Sequence, residues 1–226
     1  MSRIIRPSTA WQFELYRQDL AALSERAFYE LNPGENFLWN WHIELVISKL
    51  EAFFRGEIRR LIINLPPRHL KSHLVSIAFP AFWLGHRPSA KIISVSYGQE
   101  FSDFLSRNRR ALINSLVYQR TFGTRLGVQR LGEIRTTQGG SCMATSLGGV
   151  LMGRGADAIF IDDPLKPDDA LSLAVRSYAN AWYLNSLLSR LNSQVTGQIL
   201  LVMQRLHEDD LAGFLQAQGG FEGTGS

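Results

Sequence analysis

The sequence has little cysteine, no long apolar run and no leader-like start. Its single cysteine, Cys142, cannot form an intramolecular disulfide, and no Cys/His cluster has the spacing of zinc ligands. No stretch approaches the roughly 20 apolar residues that cross a membrane. The first residues also lack the apolar segment of a signal peptide. These absences argue against a disulfide scaffold, a zinc finger and a membrane protein, and they predict a reducing, cytosolic location.

Charge of one sign is not strongly in excess either. The chain of 226 residues has 24 basic and 20 acidic side chains, hence a net charge of +4. That balance is compatible with a polyanionic partner but equally with none. A hydrophobic fraction of 45% is ordinary for a globular protein. The length therefore suits one sizeable α/β domain, or a domain with a helical extension.

The hydrophobic pattern changes its period along the chain. Helical spacing predicts helices over residues 11–31 and 39–54, and then short apolar runs predict strands over 61–65, 91–97, 158–161 and 199–203. Further helices are predicted over 71–84, 99–112, 168–191 and 208–218, with a hairpin over 132–146. This alternation predicts an α/β fold with a mostly parallel sheet flanked by helices. We expect an N-terminal helical extension over 1–56 and the sheet domain over 57–226.

Ligands of parallel sheets bind at the carboxyl ends of the strands, and the loop after the first strand has phosphate-binding features. The order strand, loop, Lys71, Ser72, helix is that of a P-loop, in which the Lys reaches the β- and γ-phosphates and the Ser binds Mg²⁺. Leu65 and Leu70, however, stand where the standard pattern has glycine. The loop is therefore either an irregular P-loop or an ordinary turn. In the first case its ligand-binding residues are Pro67, Arg68, His69, Leu70, Lys71 and Ser72.

Two adjacent acids follow the apolar strand predicted over 158–161. This is the Walker B arrangement, in which one of Asp162 and Asp163 would hold Mg²⁺ and the other would orient the attacking water. The alternative is a turn or a helix cap, because Asp-Pro is a common turn signal. Gln204 follows the next strand, where it either contacts the γ-phosphate or is a solvated strand end.

Other charged residues fit the same chemistry less specifically. Arg68 could neutralise phosphoryl charge within its own subunit, and Arg154, in the glycine-rich stretch 148–155, could do so in a neighbouring one. Either could equally be a solvated surface arginine. The acidic triplet at 208–210 opens a helix, so capping is a better explanation than metal binding.

Four segments in this order resemble the ATPase half of phage terminase large subunits. They are Pro66-Pro67-Arg68-x-x-Lys71-Ser72, Arg154-Gly155-x-Asp157, the run AIFIDDP at 158–164 and the string VMQRLHEDDLAG at 202–213. The resemblance covers residues from about 39 to the end. It implies a P-loop NTPase fold of the RecA/ASCE type that uses ATP and Mg²⁺ to translocate double-stranded DNA into a procapsid.

The resemblance also implies roles for individual residues. Arg68, Lys71 and Ser72 match the family's irregular loop, and Asp162 matches its Mg²⁺-binding acid. Asp163 stands at the family's catalytic acid, which orients the attacking water and is often Glu, and Gln204 stands where a coupling Ser or Thr is common. His42, after Trp41, resembles a segment that helps hold the nucleotide base, although a partly buried helix histidine explains it equally well.

Partners and location follow from the same resemblance. A motor of this family would form a homo-oligomeric ring on a portal protein, with a small terminase subunit, in the cytoplasm of the bacterial host. Its DNA contacts would be mainly to backbone phosphates. Arg107, Arg109 and Arg110 are candidates, although a solvated helix face is the alternative.

Three further expectations limit this interpretation. The family's second, RNase H-like nuclease domain is not expected within these residues, so the chain would be a truncated form, a gene fragment or a split gene product. A helicase-like ATPase is disfavoured, because it needs a second RecA-like half for which 226 residues leave no room. The main alternative function is a catalytically inactive remnant, or a module that docks to the portal or another partner.

Overall fold

A computed structural model describes residues 10–151 and 153–223 of the chain. The helices are α1 (Ala10–Gln18), α2 (Leu20–Leu31), α3 (Trp41–Arg55), α4 (Phe79–His86), α5 (Gln99–Asn114), α6 (Leu116–Phe122), α7 (Pro167–Ala170), α8 (Leu173–Trp182) and α9 (Leu211–Gln218). The strands are β1 (Arg60–Asn64), β2 (Lys91–Ser96), β3 (Leu126–Arg130), β4 (Glu133–Thr136), β5 (Ser141–Ser146), β6 (Ala158–Asp162), β7 (Gln198–Met203) and β8 (Glu222–Gly223). Two π-helical segments, His73–Ala78 and Tyr183–Leu187, adjoin α4 and α8.

These strands form one sheet in the order β3-β4-β5-β2-β6-β7-β1-β8. The six strands from β5 to β8 in this order are parallel, and β4 and β3 extend the sheet antiparallel to them. Strand β7 lies between β1 and β6, pairing Met203 with Asn64 and Val202 with Asp162. The carboxyl ends of β1, β7 and β6 therefore meet at one edge of the sheet.

Both faces of the sheet are covered. In β1, Leu61 and Ile63 belong to a hydrophobic cluster that includes α2 to α6, whereas Ile62 belongs to a second cluster with residues of α8 and α9. This alternation follows from the pleat, which points successive side chains to opposite faces. The predicted fold class, a mostly parallel sheet flanked by helices, is confirmed.

The N-terminal helices pack on the sheet. Leu23 of α2 and Leu50 and Phe53 of α3 are fully buried in the same cluster as Leu61. Helix α3 ends at Gly56, whose φ of 82° is a conformation that glycine adopts without strain. The boundary that we expected after residue 56 stays a prediction.

Two predicted helices are divided in the structure, and two observed elements were not predicted. The single helix predicted over 11–31 is divided at Asp19, whose carboxylate accepts a hydrogen bond from the Ala22 N–H and begins α2. Helix α6 and strand β3 have no counterpart among the predicted elements, and the helix predicted over 168–191 is broken into α7, α8 and two short turns. The predicted hairpin is confirmed as β4–β5. Within the described residues, no helix has the length and apolarity needed to span a membrane.

Proline explains the π-helical segment that follows β1. The helix runs from Lys71 to His86 and widens over His73–Ala78, where the Phe79 N–H bonds to the Leu74 carbonyl five residues earlier. Pro80 has no N–H for the carbonyl four residues before it, that of Ser76, and its ring needs room there. The sequence pattern predicts the helix but not this widening.

Candidate functional site

A cleft of about 650 Å³ lies at the carboxyl edge of the parallel strands. Its volume is within the range of small-molecule sites. It is lined by residues that follow β1, β2, β6 and β7: Pro67, Arg68, Leu70, Lys71, Ser72, His73, Tyr97, Asp163, Leu165, Lys166, Pro167, Asp168, Gln204 and Leu206. The loop after β1 and the acid Asp163, which sequence reasoning singled out separately, therefore share one cavity.

The loop after β1 has an unusual backbone. Arg68 and Leu70 have φ angles of 63° and 58°, a left-handed conformation that costs non-glycine residues roughly 1–2 kcal/mol. Leu70, at a position where the standard pattern has glycine, thus adopts a conformation that glycine reaches without strain. Leu65, the other expected glycine position, is not among the positive-φ residues of the described chain. The helix begins at Lys71, so the N–H groups of its first turn have no intrahelical partners.

Lys71 is buried and pairs with Asp163. Its Nζ lies 2.8 Å from Asp163 Oδ1 and 2.6 Å from Oδ2. Asp163 Oδ1 also accepts a hydrogen bond of 3.0 Å from the Gln204 N–H. Asp163 itself has a φ of 44°, which aspartate tolerates better than most residues. One carboxylate therefore joins the loops that follow β1, β6 and β7.

Asp162, although adjacent in sequence, is in a different environment. It is completely buried, and its Oδ2 accepts a hydrogen bond of 2.7 Å from Ser76 Oγ. Burial, and then the charge of Asp163, raise the pKa of Asp162 to about 6. The Ser76 and Ser72 hydroxyls and the charge of Lys71 oppose this shift. Among the described residues, Asp162 Oδ1 has no hydrogen-bond partner.

The oxygen atoms here fit a magnesium ion bound together with a phosphorylated ligand. Mg²⁺ prefers oxygen ligands and is usually held by one or two carboxylates plus substrate phosphates and water. Ser72 and Asp162 supply a hydroxyl and a buried carboxylate with a free oxygen. Within the described part of the chain, no group of three or more His, Cys, Asp or Glu side chains forms a metal cage. The ligand's own oxygens would therefore have to complete the coordination.

The two predicted arginines lie in different places. Arg68 is exposed and lines the cleft. Arg154 donates two hydrogen bonds, of 2.9 and 3.1 Å, to the carboxylate of Glu133 at the start of β4, and it does not line the cleft. Arg135 bonds to the same carboxylate. The role of Arg154 in a neighbouring subunit stays a prediction.

His42 lies beside the loop after β1, next to a second cavity. Its ring centroid is 5.1 Å from that of His69, and both line a neighbouring cavity of about 320 Å³ together with Arg68 and Leu70. His42 Nε2 is buried and has no hydrogen-bond partner among the described residues. His69 Nδ1 bonds to the Pro67 carbonyl at 2.8 Å. His42 is therefore beside the loop, in a cavity separate from the main cleft.

The expectation that Arg109 contacts DNA is wrong. Arg109 is completely buried beneath α5 and donates hydrogen bonds to the Ser76 carbonyl, so it has no access to a macromolecule. Arg107, two residues earlier, is exposed. Arg110 is partly exposed and lies 3.5 Å from the Arg130 carbonyl. Helical periodicity alone did not show which of the three arginines faces the sheet.

The acidic triplet at 208–210 ends in a helix cap, as predicted. Asp210 is the N-cap of α9, and its carboxylate accepts hydrogen bonds from the N–H groups of Gly213, Leu206 and His207 at 2.9–3.2 Å. Arg205 Nε lies 3.3 Å from the same carboxylate. The string at 202–213 therefore fixes the chain just beyond Gln204.

Sequence reasoning missed several residues of the cleft. Tyr97, Lys166, Asp168 and Leu206 all line it, and Lys166 Nζ lies 5.6 Å from the centre of the Tyr97 ring. A signal was present, because each lies within a few residues of the carboxyl end of a parallel strand. Tyr97 directly follows β2, so the rule that places the acids and Gln204 at the carboxyl edge of the sheet also places Tyr97 there.

Comparison with known proteins gives a match in structure but none in sequence. No protein-family model and no curated protein matches the sequence. Among solved structures, the large terminase of bacteriophage HK97 is similar, with a TM-score of 0.58 and 13% sequence identity. The match covers 90% of this chain but only 42% of the HK97 chain, so these residues span less than half of that protein. Over most of its length, this chain has the fold of part of a phage large terminase.

Proposed function

We propose that this chain is the ATP-hydrolysing motor part of a viral DNA-packaging enzyme. The observation that carries the proposal is the convergence of Lys71, Asp162 and Asp163 at one edge of the sheet, although 91 and 92 residues separate Lys71 from the two acids in sequence. The fold shared with the HK97 large terminase supports the same function. The cleft is also large enough for a nucleotide's phosphates and sugar.

In this proposal, Lys71 and the free N–H groups at the start of its helix hold the β- and γ-phosphates. A γ-phosphate that attracts Lys71 competes with Asp163 for it, because the two side chains are paired in the structure. Asp163, once released, accepts a hydrogen bond from the attacking water and orients it. A movement of the Asp163 carboxylate would be passed directly to Gln204, because the Gln204 N–H donates a hydrogen bond to it.

Ser72 and Asp162 would hold the magnesium ion, with Asp162 offering its free Oδ1. The bound ion would supply positive charge against the developing negative charge on the phosphate oxygens. Arg68 lines the cleft and would add a second positive charge from the same subunit. Arg154 would do so from a neighbouring subunit only after leaving Glu133. His42, beside the loop, is the candidate for contact with the base.

The proposed substrate of the motor is double-stranded DNA, held through its backbone phosphates. Arg107 and Arg110 on α5, and Arg130 on the edge strand β3, are among the exposed or partly exposed cations of this region. The proposed partners are a portal protein, a small terminase subunit and further copies of this chain in a ring. The proposed location is the cytoplasm of the bacterial host.

Calorimetric titration of ATP with Mg²⁺ into the purified protein tests the proposal. We expect the parent to bind with an affinity on the order of micromolar, and Lys71→Ala to lose binding because the phosphates lose their buried cation. Lys166→Ala is the matched control, since it removes the same charge from the same cleft. Hydrolysis is then measured as phosphate release, with and without DNA.

Two results would contradict the proposal. A well-folded parent that binds no nucleotide would favour an inactive remnant or a docking module. A Lys71→Ala variant that binds like the parent would show that the loop after β1 is not the phosphate site.

A further inference from the structure

Ser76 lies one helical turn beyond Ser72, and its two polar groups point to different partners. Its hydroxyl donates to Asp162 Oδ2 at 2.7 Å. Its carbonyl has no α-helical donor, because the residue four positions later is Pro80. The side chain of Ser76 is completely buried, so water does not replace either partner.

Arg109 of α5 supplies the donors that Pro80 cannot. Its Nε and Nη2 donate to the Ser76 carbonyl at 3.1 and 2.7 Å, and Nη2 also reaches Ser94 Oγ at 3.2 Å. Its Nη1 lies 2.6 Å from Cys142 Sγ. A fully buried guanidinium is unfavourable unless it is well bonded. Two of its three bonding nitrogens are nevertheless directed at one backbone carbonyl.

The Ser76 hydroxyl determines which oxygen of Asp162, the proposed metal-binding acid, is free. The Ser76 hydroxyl occupies Oδ2 of Asp162, and Oδ1 is left without a hydrogen-bond partner among the described residues. A carboxylate held through one oxygen presents the other in a fixed direction. Partners of this kind, behind the ligands themselves, orient metal-binding carboxylates in many proteins.

We propose that Ser76 and Arg109 are positioning residues for Asp162. Arg109 fixes the widened turn of the helix, this turn places the Ser76 hydroxyl, and the hydroxyl turns Asp162 so that Oδ1 is available to a divalent cation. The inference rests on the proposed function, because it concerns the metal that accompanies the nucleotide. It adds two residues from two different helices to the site.

The test measures Mn²⁺ binding by electron paramagnetic resonance in the presence of saturating ADP. We expect Ser76→Ala to weaken Mn²⁺ binding roughly tenfold, because Asp162 loses the bond that orients it. ADP affinity without metal should be unchanged. Ser76→Thr, which keeps the hydroxyl, should restore most of the metal affinity. Ser24→Ala is the control, since Ser24 is a buried serine whose hydroxyl has no partner among the described residues.

Arg109→Lys tests the second step, with the exposed Arg107→Lys as its control on the same helix. We expect Arg109→Lys to weaken Mn²⁺ binding in the parent background but to have little further effect in Ser76→Ala, since Arg109 acts through Ser76. An Arg109→Lys variant that does not fold leaves the Ser76 comparison to decide.

The possible failures are distinguishable. If the parent binds ADP and Mn²⁺ and Ser76→Ala binds Mn²⁺ equally well, the positioning role is overturned and the proposed function stands. If Ser24→Ala weakens Mn²⁺ binding as much as Ser76→Ala does, the effect is a general loosening of the protein, and the positioning role is overturned as well. A parent that binds neither ADP nor Mn²⁺ overturns the proposed function, and the inference with it.

Discussion

The interior of the sheet and its carboxyl edge are formed by the same strands, β1, β6 and β7, but their residues behave differently. In the interior the strands are buried on both faces, with alternate side chains in the two hydrophobic clusters. At the edge, Arg68, Leu70 and Asp163 all have positive φ, and all three line the cleft. In the described chain they are the non-glycine residues with this conformation. Strain concentrated in one cavity is typical of sites under functional constraint.

The boundary between these two regions falls between two neighbouring residues. Asp162 is the last residue of β6 and belongs to the buried interior, where its carboxylate bonds to Ser76. Asp163 is the first residue of the edge and pairs with Lys71. The two adjacent carboxylates therefore differ: Asp162 is fixed by burial, and Asp163 is bonded to the lysine that, in the proposed function, binds phosphate.

The largest expected effect is that of Asp163→Asn on hydrolysis. We expect the rate of ATP hydrolysis to fall roughly 100-fold or more, because the amide cannot polarise the attacking water. Nucleotide binding should persist, since Asn still accepts the Gln204 N–H and leaves Lys71 free for phosphate. Steady-state phosphate release and calorimetry measure the two quantities.

Asp168→Asn makes the same charge change in the same cleft, at an exposed residue of α7. If both variants lose the same activity, the cleft responds to its net charge and the edge acid has no special role. If Asp163→Asn hydrolyses ATP like the parent, Asp163 does not orient the water.

The next effect concerns the interior acid, Asp162, in protein free of metal and nucleotide. Burial raises the pKa of Asp162 in the folded state to about 6, above the ordinary aspartate pKa of 3.8. Between these two pH values, Asp162 is still protonated in the folded state and has lost its proton in the unfolded state. The free energy of unfolding therefore falls as the pH rises from about 4 to 6, and the stability that the protonated group gives below pH 4 is lost above pH 6. We expect Asp162→Asn to be more stable than the parent by roughly 1–3 kcal/mol at pH 7.5.

Urea unfolding of both proteins from pH 4 to 8 measures this difference. The difference in the free energy of unfolding between the two proteins should be small at pH 4, increase up to about pH 6 and then stay constant. A difference that is constant with pH would mean that the substitution changes packing and does not remove an ionisation. Asp162→Asn should also lose the metal, so its gain in stability would accompany a loss of function.

The interior of this fold was predictable from the sequence. Apolar strands alternating with helices predict a parallel sheet, and strand ends then predict where ligands bind. The predicted strands agree with β1, β2, β6 and β7 to within one residue at each end. Hydrophobic burial dominates there, so a pattern of residue types is enough.

The edge was predictable only in part. Lys71, Asp163 and the Gln204 N–H lie together, because the carboxyl ends of three adjacent strands bring them to one place, and the roles assigned to them stay predictions. The burial of Arg109 and the widened turn at Ser76 were missed, because both depend on Pro80 and on which side of α5 faces the sheet. Those are tertiary contacts between residues distant in sequence, and no local pattern records them.

The smallest expected effect sharpens the comparison most directly, because it uses two leucines of the loop after β1, of which one has a positive φ. Leu65 directly follows β1 and Leu70 ends the loop, and both are partly buried against the first hydrophobic cluster. Leu70 has a φ of 58°, and Leu65 is not among the described residues with positive φ. Glycine at either position loses a similar apolar contact and gains flexibility in the unfolded chain.

Only at residue 70 does glycine also relieve left-handed strain, worth roughly 1–2 kcal/mol. We therefore expect Leu65→Gly to lower the free energy of unfolding by about 2 kcal/mol, and Leu70→Gly to lower it by less than about 1 kcal/mol. Urea unfolding at one pH gives both values. Equal costs would mean that the loop is not strained at Leu70. A smaller cost for Leu70→Gly, with nucleotide binding kept, would mean that residue 70 has the left-handed backbone that suits glycine. The loop would then work as a P-loop in which a strained leucine takes the place of that glycine.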